Sequence, residues 1–293
     1  MAVEEPGVAT VRSVVVARLP HYPIESVVRV GDSLDNVAYE VSGELIVRFS
    51  KHPDPARLDR EVRLLAAVAE IAPLPVPVPA FTVAELGCLA YFRLAGTPLL
   101  DLPHHPSGHG ASIAATLGQF LTALHAVPAA RMTNLVDIDD HPLTERRQEA
   151  GAAYQTVARQ IPSAHRRSLE SFLDARPPDG RYVPVFSHND LGIEHVLVDP
   201  VTWEVTGVID WSDAAIADPA HDFGLLYRDL GPDALRAAID SYRTAPEDLV
   251  GLRDRAVFHA RCGLLEDLAY GFKRGRPAYI GKSLAAMAWL FPA

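Results

Sequence analysis

The stretch FSHNDLGIEHVLVDPVTWEVTGVIDWSDAAIADPAHDF, Phe186 to Phe223, decides the reading of this chain. Short apolar runs, Val183 to Phe186, Val196 to Val198 and VTGVIDW, alternate with polar clusters. The β-like runs place His188, Asp190, His195, Asp210, Asp213, Asp218, His221 and Asp222 in the loops between them. Loops held by a rigid scaffold are where reactive groups concentrate. The spacing carries more than any one residue: H-x-D, four intervening residues and a metal-ligand residue, an apolar strand, then I-D-aromatic.

Working outward, the chain before this segment changes character. Val37 to Ser50 (VAYEVSGELIVRFS) is rich in β-branched residues and broken by Ser42-Gly43, which predicts a hairpin. VVRVGDSLDN predicts a preceding strand that runs into a polar loop. Pro53 to Ala69 turns helical, with Leu58, Val62, Leu65 and Ala69 at helix spacing. LPVPVPAF is extended because of its prolines, and LGCLAYFRL predicts another strand. The first third therefore reads as strands with one helix. AGTPLLDLPHHPSGHG, from Ala95, reads as a loop-rich hinge. Ser112 to His125 predicts an amphipathic helix, with Leu117, Phe120, Leu121 and Leu124 on one face. Glu149 to Ala175 is helical in pieces, and the chain beyond about Phe223 is mostly helical. No internal repeat and no low-complexity segment stands out.

Composition narrows the classes. The 293 residues are 48% hydrophobic and 22% charged, as in soluble globular proteins. No apolar run approaches the roughly 20 residues of a membrane span, so no membrane partner is expected. The N-terminus opens with two glutamates rather than a basic region, so it does not read as a signal peptide, and a cytoplasmic location is expected. A net charge of −10 argues against nucleic acid as a partner. Cys88 and Cys262 sit among apolar residues and read as buried small hydrophobes.

The central segment suits phosphoryl transfer. That chemistry needs a carboxylate to orient the attacking hydroxyl, ligands for Mg²⁺, and a cation for the phosphates. Asp190 supplies the first, while His195 and Asp210 can reach a metal. A metal-hydrolase cluster with a His221-Asp222 dyad is the competing class; such sites usually sit on an all-helical scaffold, which this loop-strand pattern does not match.

On these residues the chain resembles the aminoglycoside phosphotransferase family, a branch of the protein-kinase-like fold. HNDLGIEHVLVD is similar to its catalytic loop and VIDWSDAAIADPAHDF to its metal-binding segment. The HND triplet and His195, where most relatives carry asparagine, are most similar to the 2″-aminoglycoside phosphotransferases. AHDFGLLYRDLG is similar to the macrolide phosphotransferases as well. The resemblance spans nearly the whole chain, including ELIVRFSKHPD and REVRLL, PLPVPVPAF, FRLAGTPLLDL and LLEDLAYGFKRG.

It implies a two-lobed α/β (α+β) kinase-like fold, with a small sheet lobe at 1–94 for nucleotide and a larger helical lobe at 95–293 for catalysis and substrate. ATP or GTP would lie in the cleft between lobes, touching Tyr91 to Gly96, including Tyr91 and Arg93, and the GDSLDN loop with Ser33. Asp190 is implied as the base, with His188 shaping its loop, His195 and Asp210 holding Mg²⁺, and Asp222 bracing the loop. Glu61 would pair with the strand cation, which here falls on Arg48 where relatives carry lysine. Lys51 lies three residues later, on the opposite face. That departure also admits a nucleotide-binding pseudokinase. The acceptor side is expected to carry Asp213, Glu266, Asp267 and Asp229. Such acids suit a polycationic aminoglycoside; a macrolide would need an apolar wall, to which the C-terminal AMAWLFPA could contribute, and another hydroxylated metabolite is the further alternative. A small-molecule substrate, a nucleotide and a monomeric state complete the expectation.

Overall fold

The computed structural model of the protein describes residues 6–33, 35–102, 108–179 and 181–293. The chain divides into two compact units, Met1–Ala95 and Gly96–Ala293.

In the first unit, the strands β1 (Val27–Asp32), β2 (Asn36–Val41), β3 (Leu45–Ser50), β4 (Pro79–Val83) and β5 (Cys88–Phe92) form an antiparallel sheet in the order β1-β2-β3-β5-β4. The β2–β3 turn has φ of 53° at Ser42 and 74° at Gly43, the left-handed pair that the Ser-Gly step predicts. Strict alternation buries Val37, Tyr39 and Val41 on β2 and Leu45, Val47 and Phe49 on β3. The helix α2 runs Pro55–Ile71, two residues later than periodicity suggests, because Asp54 caps it. Its Oδ1 accepts from the amides of Ala56 at 2.9 Å and Arg57 at 3.4 Å.

The reading of the first third as strands with one helix is corrected at its start. Val8–Arg18 is a helix, α1, whose Val11, Val14 and Val15 join the sheet's core. A valine-rich run has strand propensity, and tertiary burial overrides it.

The second unit is mainly helical: α3 (Gly110–His125), α4 (Ala129–Met132), α5 (Leu143–Val157), α6 (Ser163–Asp174), α7 (Ala220–Leu230), α8 (Pro232–Ser241), α9 (Leu252–Arg274) and α10 (Pro277–Leu290). Two small sheets carry its loops, one ordered β10-β9-β6 and the other β7-β11-β8. Their strands are β6 (Thr97–Pro98), β7 (Asp137–Ile138), β8 (Val185–Ser187), β9 (Val196–Val198), β10 (Val205–Val208) and β11 (Ala215–Ala217). Of the segment read as a hinge, β6 and a short helical turn at Leu99–Asp101 are described, and residues 103–107 lie outside the described residues.

One helical core joins α5, α6, α9 and α10, with Leu264, Leu265, Leu268, Ala286, Met287, Leu290 and Phe291 fully buried. The C-terminal AMAWLFPA is thus a structural plug. Its large apolar side chains face this core, which corrects the expectation that they could wall a substrate site. Elsewhere α3 meets α8 so closely that a Cβ on Gly118 would lie 2.2 Å from the Ala238 carbonyl oxygen.

The combination is a mixed α/β fold, with an antiparallel sheet unit followed by a helical unit. Among the described residues, no helix is long and apolar enough to cross a membrane.

Candidate active site

The catalytic segment of the second unit follows from its strands. β8 ends at Ser187 and β9 begins at Val196, so residues 188–195 must form a loop closed at both ends. Asp222, at the start of α7, is fully buried and holds the near end. Its Oδ2 accepts from the His188 amide at 3.1 Å and its Oδ1 from the Asn189 amide at 2.9 Å. Burial alone would raise its pKa, but His125 at 3.6 Å, His188 and His221 reverse that, and the carboxyl titrates below its usual range. His125, which sequence spacing suggests is a helix-end or core-edge residue, is buried and also bonds the Tyr242 hydroxyl at 3.0 Å.

His188 is fully buried against Trp211, ring centroids 4.6 Å apart. Its Nδ1 accepts the Asp190 amide at 3.3 Å, so the proton sits on Nε2, which donates to the Ile209 carbonyl at 3.1 Å. Desolvation lowers its pKa to about 4. His188 is therefore a neutral spacer between the loop and β10.

Asp190 and His195 meet at the mouth of the loop. His195 Nδ1 lies 2.7 Å from the Asp190 carbonyl oxygen and 3.3 Å from Asp190 Oδ2. A carbonyl can only accept, so Nδ1 carries a proton and Nε2 holds the lone pair of the neutral ring. That Nε2 lies 3.7 Å from Asp210 Oδ2. Asp210 follows β10 in a left-handed conformation, φ 62°, and its Oδ1 accepts from the Ser212 hydroxyl at 2.7 Å. Burial tends to lower the His195 pKa, but Asp190 and Asp210 raise it overall. For Asp190, burial with Glu194 and Asp213 nearby outweighs His195 and raises its pKa.

The Nε2–Oδ2 pair, one imidazole nitrogen and one carboxylate oxygen, could hold a divalent cation. Mg²⁺ is commonly held by only one or two protein carboxylates, with phosphate and water oxygens filling its sphere. Among the described residues no group of three or more His, Cys, Asp or Glu is placed to hold a metal without such help. The His221-Asp222 dyad of a hydrolase does not form. Asp222 holds loop amides, while His221 Nδ1 meets Asn189 Oδ1 at 2.8 Å.

Beyond Asp190 the loop rests on a buried ion cluster that sequence reasoning missed. Glu194, Asp229 and Asp267 surround Arg228 and Lys282. Lys282 Nζ lies 2.8 Å from Glu194, 2.9 Å from Asp267 and 3.4 Å from Asp229. Arg228 lies 2.7 Å from Asp229 and 3.0 Å from Asp267. Asp229 is only 2% exposed and also accepts the Ile193 amide at 3.2 Å. This corrects the placing of Asp229 on an acceptor surface. Asp267 is ion-paired internally, whereas Glu266 and Asp213 are exposed. Asp218 is likewise internal, bonded to buried Arg255 at 2.8 and 3.2 Å. The Asp229 signal was in the sequence, since Arg228 precedes it; Lys282 is distant in sequence.

In the first unit, alternation turns Arg48 away from the sheet core, and it pairs with Glu61 of α2. Lys51 is engaged elsewhere, at 2.6 Å from both Asp32 Oδ1 and the Ser33 carbonyl oxygen. Ser33 closes the β1–β2 turn, its Oγ accepting the Asn36 amide at 3.1 Å. Tyr91 lies on β5, and Arg93 follows it, 3.6 Å from Glu40. Cys88 and Cys262 are buried free thiols, and burial raises the Cys88 pKa to about 12.

The fold, an antiparallel sheet unit followed by a helical unit, is that of a small-molecule kinase. The chain belongs to the phosphotransferase enzyme family, whose model matches residues 26–258. The GDP and kanamycin complex of APH(2″)-IIIa superposes with a TM-score of 0.70 at 22% identity, covering 94% of this chain and 96% of that one. Macrolide 2′-phosphotransferase MphH from Brachybacterium faecium, an apoenzyme, gives 0.58 at 26% identity, covering 93% and 96%. The uncharacterized protein YcbJ of Bacillus subtilis is 39% identical over 70 residues, 23% of this chain and 22% of its own length.

Proposed function

We propose that this protein transfers a phosphoryl group from ATP or GTP to a hydroxyl of an aminoglycoside antibiotic. Asp190 receives the hydroxyl proton, and His195 and Asp210 would hold Mg²⁺, whose charge would offset that of the nucleotide phosphates. His188 keeps Asp190 in register. In the first unit, Arg48 braced by Glu61 serves the nucleotide phosphates, with Ser33, Tyr91 and Arg93 as further nucleotide contacts. Arginine offers a planar fork where lysine offers a point charge, so this pairing supports phosphate binding and sets the protein apart from lysine-bearing kinases. The observation that carries the reading is the pair of contacts from one imidazole, 3.3 Å to Asp190 and 3.7 Å to Asp210.

On the acceptor side, exposed Asp213 and Glu266 support a cationic substrate, whereas Asp267 is taken up by Arg228 and Lys282. The kanamycin complex of APH(2″)-IIIa is consistent with that class. A macrolide acceptor is the second reading. It is favoured by the internal pairing of Asp229 and Asp267, which leaves fewer acids for a polycation. A coupled nucleoside-diphosphate assay with ATP and GTP, run against aminoglycosides, macrolides and other hydroxylated antibiotics, tests both. Turnover of macrolides alone would overturn the aminoglycoside assignment. Nucleotide binding without turnover of any acceptor would favour a pseudokinase.

A further inference from the structure

The residue before the base carries an unusual load. Asn189 has φ 65°, in the region that side chains disfavour. Its amide is clamped at both ends: Nδ2 donates to Asp139 Oδ2 at 3.2 Å, and Oδ1 meets His221 Nδ1 at 2.8 Å. The orientation is self-consistent. Asp139 is ionised and paired with Arg146, so it must accept, which puts the Asn189 nitrogen toward it and the oxygen toward His221. His221 then carries its proton on Nδ1. Desolvation keeps that ring neutral, with a pKa near 3. The anchors come from separate elements, since Asp139 follows β7 and His221 lies in the first turn of α7. Asn189, Asp139 and His221 also line a cavity of about 410 Å³, together with Tyr182 and His259 and without Asp190.

We propose that Asn189 is a positioning residue, and that the Asp139–Asn189–His221 clamp holds the loop so that the Asp190 carboxylate stays beside His195. This rests on Asp190 being the base. The left-handed turn alone would be met by glycine. Glycine cannot make the clamp, so N189G separates the two roles of the side chain. A loop shift of about an ångström costs up to roughly a hundredfold in rate. N189G and H221A are each expected to lower kcat about ten- to a hundredfold, with the nucleotide KM unchanged. Since both cut one bridge, the double variant should be no slower than the slower single one.

Wild-type kcat in N189G would overturn the proposal, because asparagine would then serve only the backbone turn. Additive losses in the double variant would overturn it too. Backbone amide exchange gives a readout independent of turnover: in H221A the Asn189 and Asp190 amides should exchange faster than in wild type. Unchanged exchange would overturn the clamp, and it decides the matter even if N189G does not fold. If the wild-type protein phosphorylates no acceptor, the kinase reading fails, while the exchange experiment still tests the clamp.

Discussion

Replacing Asp222 by alanine should destabilise the protein by about 3–6 kcal/mol. The figure comes from two hydrogen bonds to a charged acceptor, roughly 1.5–3 kcal/mol each. Those bonds run from the His188 and Asn189 amides, 3.1 and 2.9 Å away, to a carboxylate with no solvent exposure. Alanine strands both amides, that of His188 in a fully buried position. D222N keeps one acceptor oxygen and should cost less, about 1–3 kcal/mol on the same scale. Urea unfolding at pH 7, followed by circular dichroism, measures both. The sign of the pH dependence also follows. Asp222 titrates lower in the folded protein than in the unfolded chain. Its contribution is therefore present above the unfolded value of about 3.9 and is lost as pH falls through the folded value. A D222A penalty under about 1 kcal/mol at neutral pH, or one smaller than that of D222N, would refute the bracing role.

Two further perturbations test the surrounding packing. K282M should destabilise by about 3–5 kcal/mol, because it leaves Glu194, Asp229 and Asp267 with one buried cation among them; the folded pKa of Lys282 is raised, so the effect should persist at neutral pH and fade only as pH rises through that value. An equally stable K282M in denaturant titration would contradict the cluster. G118A should lower Tm by an amount equivalent to roughly 1–3 kcal/mol, since the added Cβ meets the Ala238 carbonyl at 2.2 Å; a rise in Tm from improved helix propensity would show that α3 and α8 separate easily.

Much of this architecture was legible in local chemistry. The Ser42-Gly43 turn, the periodicity of α2 and α3, and the polar loops of the Phe186 to Phe223 segment all announce themselves within a few residues. What stayed hidden depends on partners distant in sequence. A valine-rich α1 looks like a strand until the sheet that buries Val11 and Val15 is present. The three-residue β11 has no pattern of its own and exists because β8 and β7 flank it. Asp229 and Asp267 look like free acids until Lys282 arrives from α10. The hydrophobic C-terminus likewise offers a wall or a plug equally well by composition, and burial of Met287, Leu290 and Phe291 decides for the plug. The proximity of Asp190, His195 and Asp210 was readable because the first two share a loop closed by β8 and β9 and the third follows β10, while the Asn189 clamp needed β7 and α7 in place.

The central claim, that Asp190 receives the proton of the acceptor hydroxyl, is tested most directly by single-turnover kinetics of D190N with saturating Mg²⁺ and nucleotide and the best acceptor of the antibiotic panel. General-base catalysis contributes roughly 10²- to 10⁴-fold, so the rate of phosphoryl transfer should fall by that factor, with nucleotide affinity nearly unchanged. Transfer at the wild-type rate by D190N would contradict the account.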